Sequence, residues 1–261
     1  MNTGPTVSES LLEEAADLAR RAGRLTLDWY RPSVEVVTKR DGSPVTAADR
    51  AAEHLLRTEL ADRYPGDAII GEELGYSGGD SGQTWFIDPI DGTQSFIRGV
   101  PLFATLLALE DTYGVAVGVI DLPALGETVM AGRGLGCFLN ERPVTTNDRT
   151  EAEGSALCTS GYDLIPNDVA ERLQHSSLIL RGWGDAYGYA LVARGSIEAM
   201  LDPVVAPWDI APMAVIIPEA GGTFTDCTGR PNIRSGTGLA TNGPLHAEIL
   251  SIISGPETNS S

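Results

Sequence analysis

Two short apolar runs in the chain each stop at acidic residues. Residues 68–71 are followed by the acids at 72–73, and residues 85–87 are followed by Asp88 and Asp91. Short runs that are apolar throughout and contain Ile, Trp and Phe predict buried strands. Because solvated acids have no need of such apolar lead-ins, the pattern predicts that this segment brings carboxylates to the end of a strand twice.

The second run predicts a sharp change of chain direction. Pro89 has no backbone donor, so we expect it to end the strand, and Gly92 permits a tight turn. Asp88 and Asp91 in such a turn can point at one place, where two bare carboxylates repel each other. The sequence therefore predicts a bound cation or a protonated acid, and oxygen ligands without nearby Cys or His favour magnesium or manganese over zinc. An ordinary Asp-rich turn is the alternative interpretation.

The first helix is predicted near the N-terminus. Ser10 with Glu13 is typical of a capping box, and apolar residues then recur at helical spacing until Pro32. We therefore expect one long amphipathic helix that starts at this box.

A second helix is predicted to begin near Asp49, where the helix dipole favours a carboxylate. Ahead of it, residues 34–39 alternate as a strand does and residues 41–44 are typical of a turn. Residues 75–82 are rich in Gly and Ser and predict a flexible loop between the two acid-terminated strands.

The rest of the pattern divides the chain into two halves. Strands follow one another as an antiparallel meander until a polar stretch at residues 145–154, and beyond it strands alternate with helices, one of them expected over 207–220. We predict an α/β protein with an antiparallel-sheet α+β half, residues 1–148, that carries most of the candidate ligands. We expect residues 149–261 to form an α/β half that completes the site.

Composition restricts the partners. The 261 residues include 18 basic and 36 acidic side chains, a formal charge of −18. Such a surface repels nucleic acid and anionic membranes, so neither is an expected partner. An anionic substrate would be repelled as well unless bound cations reverse the local charge, which favours a metal site if the ligand is a phosphate.

The cysteines and the N-terminus bear on location. Cys137, Cys158 and Cys227 are isolated and odd in number, which is typical of reduced thiols in a cytoplasmic protein. No signal-peptide pattern and no apolar run long enough to span a membrane is found, so we expect a soluble protein.

Three motifs then occur in order along nearly the whole chain: Glu72-Glu73, the run 88–93 with Phe96, and Trp208-Asp209 ahead of Gly221-Gly222. Together they resemble the inositol monophosphatase family of magnesium-dependent, lithium-sensitive phosphatases. The resemblance implies a five-layer αβαβα sandwich that usually forms a homodimer.

The resemblance also implies residue roles. Two or three Mg²⁺ ions would be bound by the backbone carbonyl of Ile90 and by four carboxylates, those of Glu72, Asp88, Asp91 and Asp209. Asp49 and Thr93 would position and activate the attacking water, with Glu72 counted among the catalytic residues too. The backbone amides of Gly92 and Thr93 would face the phosphate. Clustered Mg²⁺ suits this reaction because it lowers the pKa of a bound water and neutralises phosphoryl oxygens.

Within the family, the runs 95–102, 181–185 and 208–212 are most similar to the histidinol-phosphatase branch. Inositol-specific members commonly have a small neutral residue where Asp185 stands. An acid there suits a cationic amine and would contact an uncharged inositol ring poorly. The alternative is that Asp185 only caps the helix that follows, and one residue can do both.

Three further positions concern the substrate. Arg181 could reach the substrate or pair with one of the many acids, and Asp202 stands where the family places a substrate-contacting acid. Gln94 occupies a position where relatives of this branch usually carry Lys, which removes one positive charge near the phosphate.

The sequence therefore predicts a Mg²⁺-dependent phosphomonoesterase that converts L-histidinol phosphate to L-histidinol in histidine biosynthesis. Inositol-1-phosphate or another cyclitol phosphate is the alternative substrate. A non-catalytic regulatory protein on the same fold is the alternative of another class, and the intact set of acidic ligands argues against it.

Overall fold

A computed structural model of the chain describes residues 4–31, 37–38 and 44–255. The expectations for residues 34–36, 39 and 41–43 lie outside these ranges. Val37–Thr38 and Pro44–Val45 pair as a short antiparallel ladder.

Eight α-helices occur in the described residues: α1 Glu9–Thr26, α2 Ala47–Arg63, α3 Thr93–Ile97, α4 Asn167–His175, α5 Asp185–Ala193, α6 Pro207–Ile210, α7 Met213–Glu219 and α8 His246–Ser254. A 3₁₀ turn spans Tyr162–Leu164. The strands are β1 Val37–Thr38, β2 Pro44–Val45, β3 Ala68–Gly71, β4 Gly75–Ser77, β5 Thr84–Asp91, β6 Ala104–Asp111, β7 Gly114–Leu122, β8 Glu127–Gly132, β9 Gly136–Leu139, β10 Arg142–Val144, β11 Ala156–Cys158, β12 Ile179–Arg181, β13 Ala199–Asp202, β14 Thr223–Thr225 and β15 Gly238–Thr241.

Two larger sheets form the framework. The first has eight strands in the order β10-β9-β8-β7-β6-β5-β3-β4, antiparallel except where β3 and β5 run parallel. The second has five strands in the order β12-β11-β13-β15-β14, with its first three strands parallel. The expected antiparallel meander therefore corresponds to the first sheet, and the expected alternation of strands and helices to the second.

The layers alternate between helices and sheets. α1 and α2 bury their apolar faces on one side of the eight-stranded sheet, and α5 and α7 pack between the two sheets. α4 and α8 cover the outer face of the five-stranded sheet. Successive side chains of β5 point to opposite faces of the eight-stranded sheet. Trp85 and Ile87 pack in the core with α1 and α2, whereas Phe86 packs in the core with α5 and α7. The five-layer αβαβα architecture is confirmed.

The start of the first helix differs from the prediction. α1 begins at Glu9, and the hydroxyl of Ser8 accepts the Leu11 backbone N–H, so Ser8 is the N-cap. The predicted capping box of Ser10 and Glu13 was wrong by two residues, because several Ser and Glu residues here match the same pattern. The helix also ends at Thr26 rather than running on to Pro32.

The predicted loop at residues 75–82 was partly wrong. Gly75–Ser77 forms β4, an exposed edge strand that pairs antiparallel with β3. Because backbone hydrogen bonds rather than apolar burial hold this strand, the hydrophobic pattern gave no signal for it.

The predicted helix over 207–220 is two helices. Ala211 and Pro212 keep helical backbone angles, but Pro212 has no N–H to donate and the hydrogen-bond ladder is interrupted between α6 and α7. The break leaves a short helix, α6, whose first turn carries Asp209.

No helix in the described part of the chain is long and apolar enough to cross a membrane. Continuous cores join the helices and sheets on both sides of the polar stretch at 145–154. The predicted division into residues 1–148 and 149–261 stays a prediction.

A buried acid beneath α1 gives one prediction for stability. Burial raises the pKa of Asp121 to about 6, although its carboxylate accepts the Thr128 hydroxyl at 2.8 Å and Arg20 and Arg24 lie nearby. A raised carboxyl pKa means that the fold favours the protonated form. The contribution of Asp121 to the free energy of unfolding is therefore lost as pH rises from about 4 to 6. We expect Asp121→Asn to stabilise the protein by up to about 3 kcal/mol at pH 8 and about half that at pH 5, measured by urea unfolding. A less stable variant at pH 8 would mean that pairing with the arginines outweighs burial.

Candidate active site

Three carboxylates from two distant parts of the chain meet in one place. Asp88, Asp91 and Asp209 each offer an oxygen, and these oxygens lie within 4.8 Å of one another. Asp88 and Asp91 belong to β5, and Asp209 lies on α6. The structure thus brings together three of the predicted metal ligands.

A bulge in β5 brings Asp88 and Asp91 together. Asp88 pairs with Leu106 and Asp91 with Ala104 on β6, so β5 contains one extra residue between these pairs. Residues three apart on a regular strand point to opposite faces, and the extra residue lets both carboxylates point toward the same site. The expectation that Pro89 ends the strand was therefore wrong. Its missing N–H is accommodated inside the bulge, and its carbonyl accepts the Thr105 hydroxyl at 2.8 Å.

Glu72 comes from the neighbouring strand. β3 and β5 are parallel neighbours, so their carboxyl ends lie at the same edge of the sheet. The Glu72 backbone N–H donates to the Ile87 carbonyl at 3.2 Å, one residue before Asp88. Burial and the negative charge of Glu72 raise the pKa of both Asp88 and Asp209. The close group of three carboxylate oxygens does not include Glu72.

Asp209 is fixed by the start of α6. One of its carboxylate oxygens accepts the Ala206 backbone N–H at 2.8 Å, and Pro207 occupies the first turn. The hydrogen bond and the proline therefore hold Asp209 in a defined position in the first turn of α6. The Pro-Trp-Asp sequence is a signal for such a helix start.

The electrostatics of the cluster fit a cation. Burial, and then the charges of neighbouring carboxylates, raise the pKa of both Asp88 and Asp91 well above the usual range, and burial raises that of Asp209 to about 6. Buried acids repel one another in this way unless protons or positive charge offset the repulsion. All the donors are hard oxygens, so the residues present fit a hard divalent cation.

Asp49 and Thr93 are the two residues predicted to hold the attacking water. Asp49 lies in the first turn of α2, and its Oδ2 accepts the backbone N–H and the hydroxyl of Thr46 at 2.8 and 2.6 Å. Its other oxygen is buried with no hydrogen-bond partner, and burial followed by the charge of Glu72 raises its pKa. The Thr93 hydroxyl donates to the Ile90 carbonyl at 3.1 Å.

The second half of the chain contributes α5 to the same site. The Ala186 backbone N–H donates to Asp91 Oδ2 at 2.6 Å. Gly92 has a φ of 78°, and a Cβ atom there would lie 3.0 Å from both Asp185 Oδ2 and the Leu102 carbonyl. Glycine is therefore needed for its left-handed backbone and for the close approach of α5.

Asp185 has an unusual backbone conformation. Its φ is 54°, in the left-handed region, and its N–H donates to the Ser160 hydroxyl oxygen at 2.8 Å. Burial, and next the charge of Asp202, raise its pKa to about 7. Ser160 in turn donates its hydroxyl to Asp202 at 2.6 Å. The predicted substrate contact Asp202 is only 3% exposed and lies beneath Ser160.

Ser160 is a residue that sequence reasoning missed. It lies two residues after the end of β11, beyond the carboxyl end of a parallel strand where functional side chains often lie, and this position was the available signal. Its link between Asp185 and Asp202 depends on packing of α5 against β13, which no local pattern reports.

A cavity of about 410 Å³ adjoins Asp185. It is lined by two acids, several neutral residues and no basic residue, namely Gln94, Ser95, Leu102, Ser160, Gly161, Asp163, Leu164, Gly182, Gly184 and Asp185. Arg181 is not among them. It is exposed at the end of edge strand β12, and its guanidinium donates to the Leu180 carbonyl.

A second, larger cavity of about 680 Å³ lies elsewhere. It is bordered by the β6–β7 turn, α7, β14 and the loop near Arg234, and none of the predicted site residues lines it. Size alone therefore does not identify the site, and the cavity beside Asp185 is the one that adjoins the carboxylates.

Comparison with known proteins identifies the family. Residues 8–255 match the profile of the Inositol monophosphatase family. The chain is 42% identical to a histidinol-phosphatase of Chlorobaculum parvum, with 94% of this chain and 97% of the relative aligned. It is 37% identical to a histidinol-phosphatase of Streptomyces coelicolor, over 92% and 93% of the two chains.

Other relatives have different names. An inositol-1-monophosphatase of Mesorhizobium japonicum is 32% identical over 95% of this chain and 97% of its own length. A Nus factor SuhB of Pseudomonas aeruginosa is 34% identical over 85% and 87%. Among solved structures, an IMPase of Thermotoga maritima superimposes with a TM-score of 0.86 at 30% identity, covering 94% of this chain and 97% of that one.

Proposed function

The chain belongs to the inositol monophosphatase family and is a phosphoric monoester hydrolase, and from this premise we propose that it hydrolyses L-histidinol phosphate in histidine biosynthesis. The observation that carries the proposal is the acidic cavity beside the carboxylate cluster, which Asp163 and Asp185 line without any basic residue. Such a cavity favours a substrate whose leaving group is a cation, as L-histidinol is. The histidinol-phosphatase relatives at 37–42% identity support the same substrate.

The acidic residues would hold Mg²⁺, two or three ions per site. The ligands we assign are the backbone carbonyl of Ile90 and four carboxylates, those of Glu72, Asp88, Asp91 and Asp209. When bound, Mg²⁺ supplies an activated water and offsets the charge of the phosphoryl oxygens and of the leaving alkoxide.

Asp49 and Thr93 would hold the attacking water. The free Oδ1 of buried Asp49 is an acceptor that needs a hydrogen-bond donor, and a water would supply one. We assign Glu72 to the same group on the resemblance to the family. The backbone N–H groups of Gly92 and Thr93 would orient the phosphate at the start of α3.

Asp185 would bind the primary ammonium of the substrate. Its carboxylate lies at the boundary between the cluster and the cavity, so it separates the phosphate end from the leaving-group end. Asp202 would contribute through Ser160, which it holds in place. Arg181 stays a predicted substrate contact from the rim of this region.

Inositol-1-phosphate, or another cyclitol phosphate, is the second candidate substrate. The inositol-1-monophosphatase relative favours it, and so does Gln94, a neutral side chain in the cavity wall. A regulatory role without catalysis is the candidate of another class, suggested by the relative named Nus factor SuhB. Retention of all the acidic ligands argues against it.

The substrate is tested by comparing phosphate release from L-histidinol phosphate and from inositol-1-phosphate in Mg²⁺. We expect kcat/KM to be at least about tenfold higher for histidinol phosphate, because a buried ammonium-carboxylate contact contributes roughly 1.5–3 kcal/mol. EDTA should abolish both activities. A preference for inositol-1-phosphate would refute the substrate assignment, and no phosphate release from either compound would favour the regulatory role.

The homodimer and the cytoplasmic location stay predictions. They are testable by light scattering and by cell fractionation.

A further inference from the structure

A buried carboxylate on α2 holds the turn that follows Glu72. Glu53 is fully buried, and its Oε2 accepts the Glu73 backbone N–H at 2.7 Å. Its Oε1 accepts the Leu74 N–H at 3.1 Å. These are the two peptide groups next along the chain after Glu72, so this one side chain fixes the path of the backbone there.

Arg57 completes the arrangement one helical turn later. Its Nε donates to Glu53 Oε1 at 2.7 Å, and one terminal nitrogen donates to the Ser77 hydroxyl at 2.8 Å. The other terminal nitrogen donates to the Gly75 carbonyl. Residues four apart on a helix share a face, so one face of α2 is hydrogen-bonded both to the β3–β4 turn and to β4.

Gly71 provides the space for this contact. A Cβ atom at this position would lie 2.2 Å from Glu53 Oε1 and 2.7 Å from its carboxyl carbon. Since no φ in the left-handed region is involved, the close approach of Glu53 is the physical reason for glycine here.

Glu72 is therefore held from two directions. Its own N–H is bonded to Ile87 on β5, and the two residues after it are bonded to α2. The same helix carries Asp49 four residues before Glu53, so Asp49 and the turn share one rigid support. With both oxygens already bonded to backbone or guanidinium donors, Glu53 is placed to orient Glu72 and not to bind a ligand itself.

We propose that Glu53, supported by Arg57, is a positioning residue that sets the affinity of the site for Mg²⁺ by fixing Glu72 relative to Asp49. The proposal rests on the role of Glu72 as a metal ligand in the proposed function. A ligand on a turn that samples several conformations must be ordered when the ion binds, and ordering it beforehand removes that cost.

Glu53→Gln tests this directly. Glutamine has the same size, but it offers one acceptor oxygen, and its amide nitrogen would face the donors of Glu73, Leu74 or Arg57. We expect the Kd for Mg²⁺, measured by titration calorimetry on the metal-free protein without substrate, to rise at least tenfold. The rise in melting temperature caused by a fixed Mg²⁺ concentration should shrink accordingly.

Glu219→Gln is the matched control. Glu219 also ties down a turn, since its two carboxylate oxygens accept the N–H groups of Gly134 and Gly136 at 2.7 and 2.8 Å. It lies on α7, and it is not one of the assigned ligands. We expect this variant to lose stability while its Kd for Mg²⁺ stays within twofold of wild type.

Two results would overturn the proposal: a Kd within twofold of wild type for Glu53→Gln, or an equal loss of affinity in Glu219→Gln. If Glu53→Gln does not fold, Gly71→Ala serves in its place, because the added methyl displaces the Glu53 carboxylate and should also weaken Mg²⁺ binding. Failure of the wild type to bind Mg²⁺ overturns the proposal as well. An incorrect substrate assignment changes none of these results, since no turnover is measured.

Discussion

Asp88→Asn is expected to lower kcat/KM by at least about 1000-fold while raising the melting temperature of the metal-free protein. The first effect follows because Asp88 lies in the centre of the carboxylate cluster, 2% exposed, and loss of a ligand removes several kcal/mol of transition-state stabilisation. The second follows because asparagine relieves the repulsion from Glu72, Asp91 and Asp209. Asparagine can also keep the hydrogen bond that Asp88 Oδ1 accepts from the Ile90 N–H at 3.0 Å.

The two effects are measured separately, by phosphate release in Mg²⁺ and by thermal unfolding in EDTA. Asp226→Asn is the control, because Asp226 is also buried but accepts local N–H groups of Thr228 and Arg230 at 2.8 and 3.0 Å. Those bonds favour its charged form, so this variant should be less stable than wild type and retain activity. A metal-free Asp88→Asn protein that melts below wild type would show that repulsion among the carboxylates does not destabilise the metal-free protein.

Asp185→Asn is expected to lower kcat/KM for L-histidinol phosphate by about 10- to 100-fold, mainly through KM. The range corresponds to the roughly 1.5–3 kcal/mol of a charge-assisted hydrogen bond. Asparagine tolerates a φ of 54° better than most residues and keeps the N–H donated to Ser160, so the change removes charge and leaves the backbone in place. For inositol-1-phosphate we expect a change of less than about threefold, because an uncharged ring makes no ionic contact.

Asp163→Asn makes the same charge change in the same cavity. Asp163 is exposed, where ion pairs are screened by solvent, so the expected effect on histidinol phosphate is below about threefold. Equal losses on both substrates in Asp185→Asn would instead mean that Asp185 acts on the metal site. An unchanged KM would mean that the ammonium binds elsewhere.

Local patterns sufficed for the sequence to predict most of the fold. The apolar runs at 68–71 and 85–87 are strands, and Asp49 lies in the first turn of a helix. These features depend on burial periodicity and on caps, which neighbouring residues determine. The resemblance to a family extended the prediction to the five layers, which no local pattern could supply.

The bulge at Pro89 could not be predicted from the sequence. A proline normally predicts the end of a strand, and only the register with β6 shows that one extra residue continues it. The same bulge is what lets Asp88 and Asp91 act together, so the chemistry was predicted from a geometry that was partly wrong.

The supporting residues of the site were missed for a related reason. Glu53 and Ser160 lie in no chemical motif, and their partners are about 20 and 42 residues away in the sequence. Their roles depend on which backbone groups the packed helices bring near them. Sequence patterns report which residues carry charge or apolar surface, whereas hydrogen bonds over such distances are set by tertiary packing.

Distant acids of this chain converge on one site, which we propose binds divalent cations. Anomalous diffraction from crystals soaked in Mn²⁺, a hard cation of similar ligand preference, tests it most directly. We predict anomalous peaks at roughly 2 Å from carboxylate oxygens of Asp88, Asp91 and Asp209, with Glu72 in the same coordination shell. Full occupancy of Mn²⁺ at other acids, with no peak between these residues, would contradict the claim.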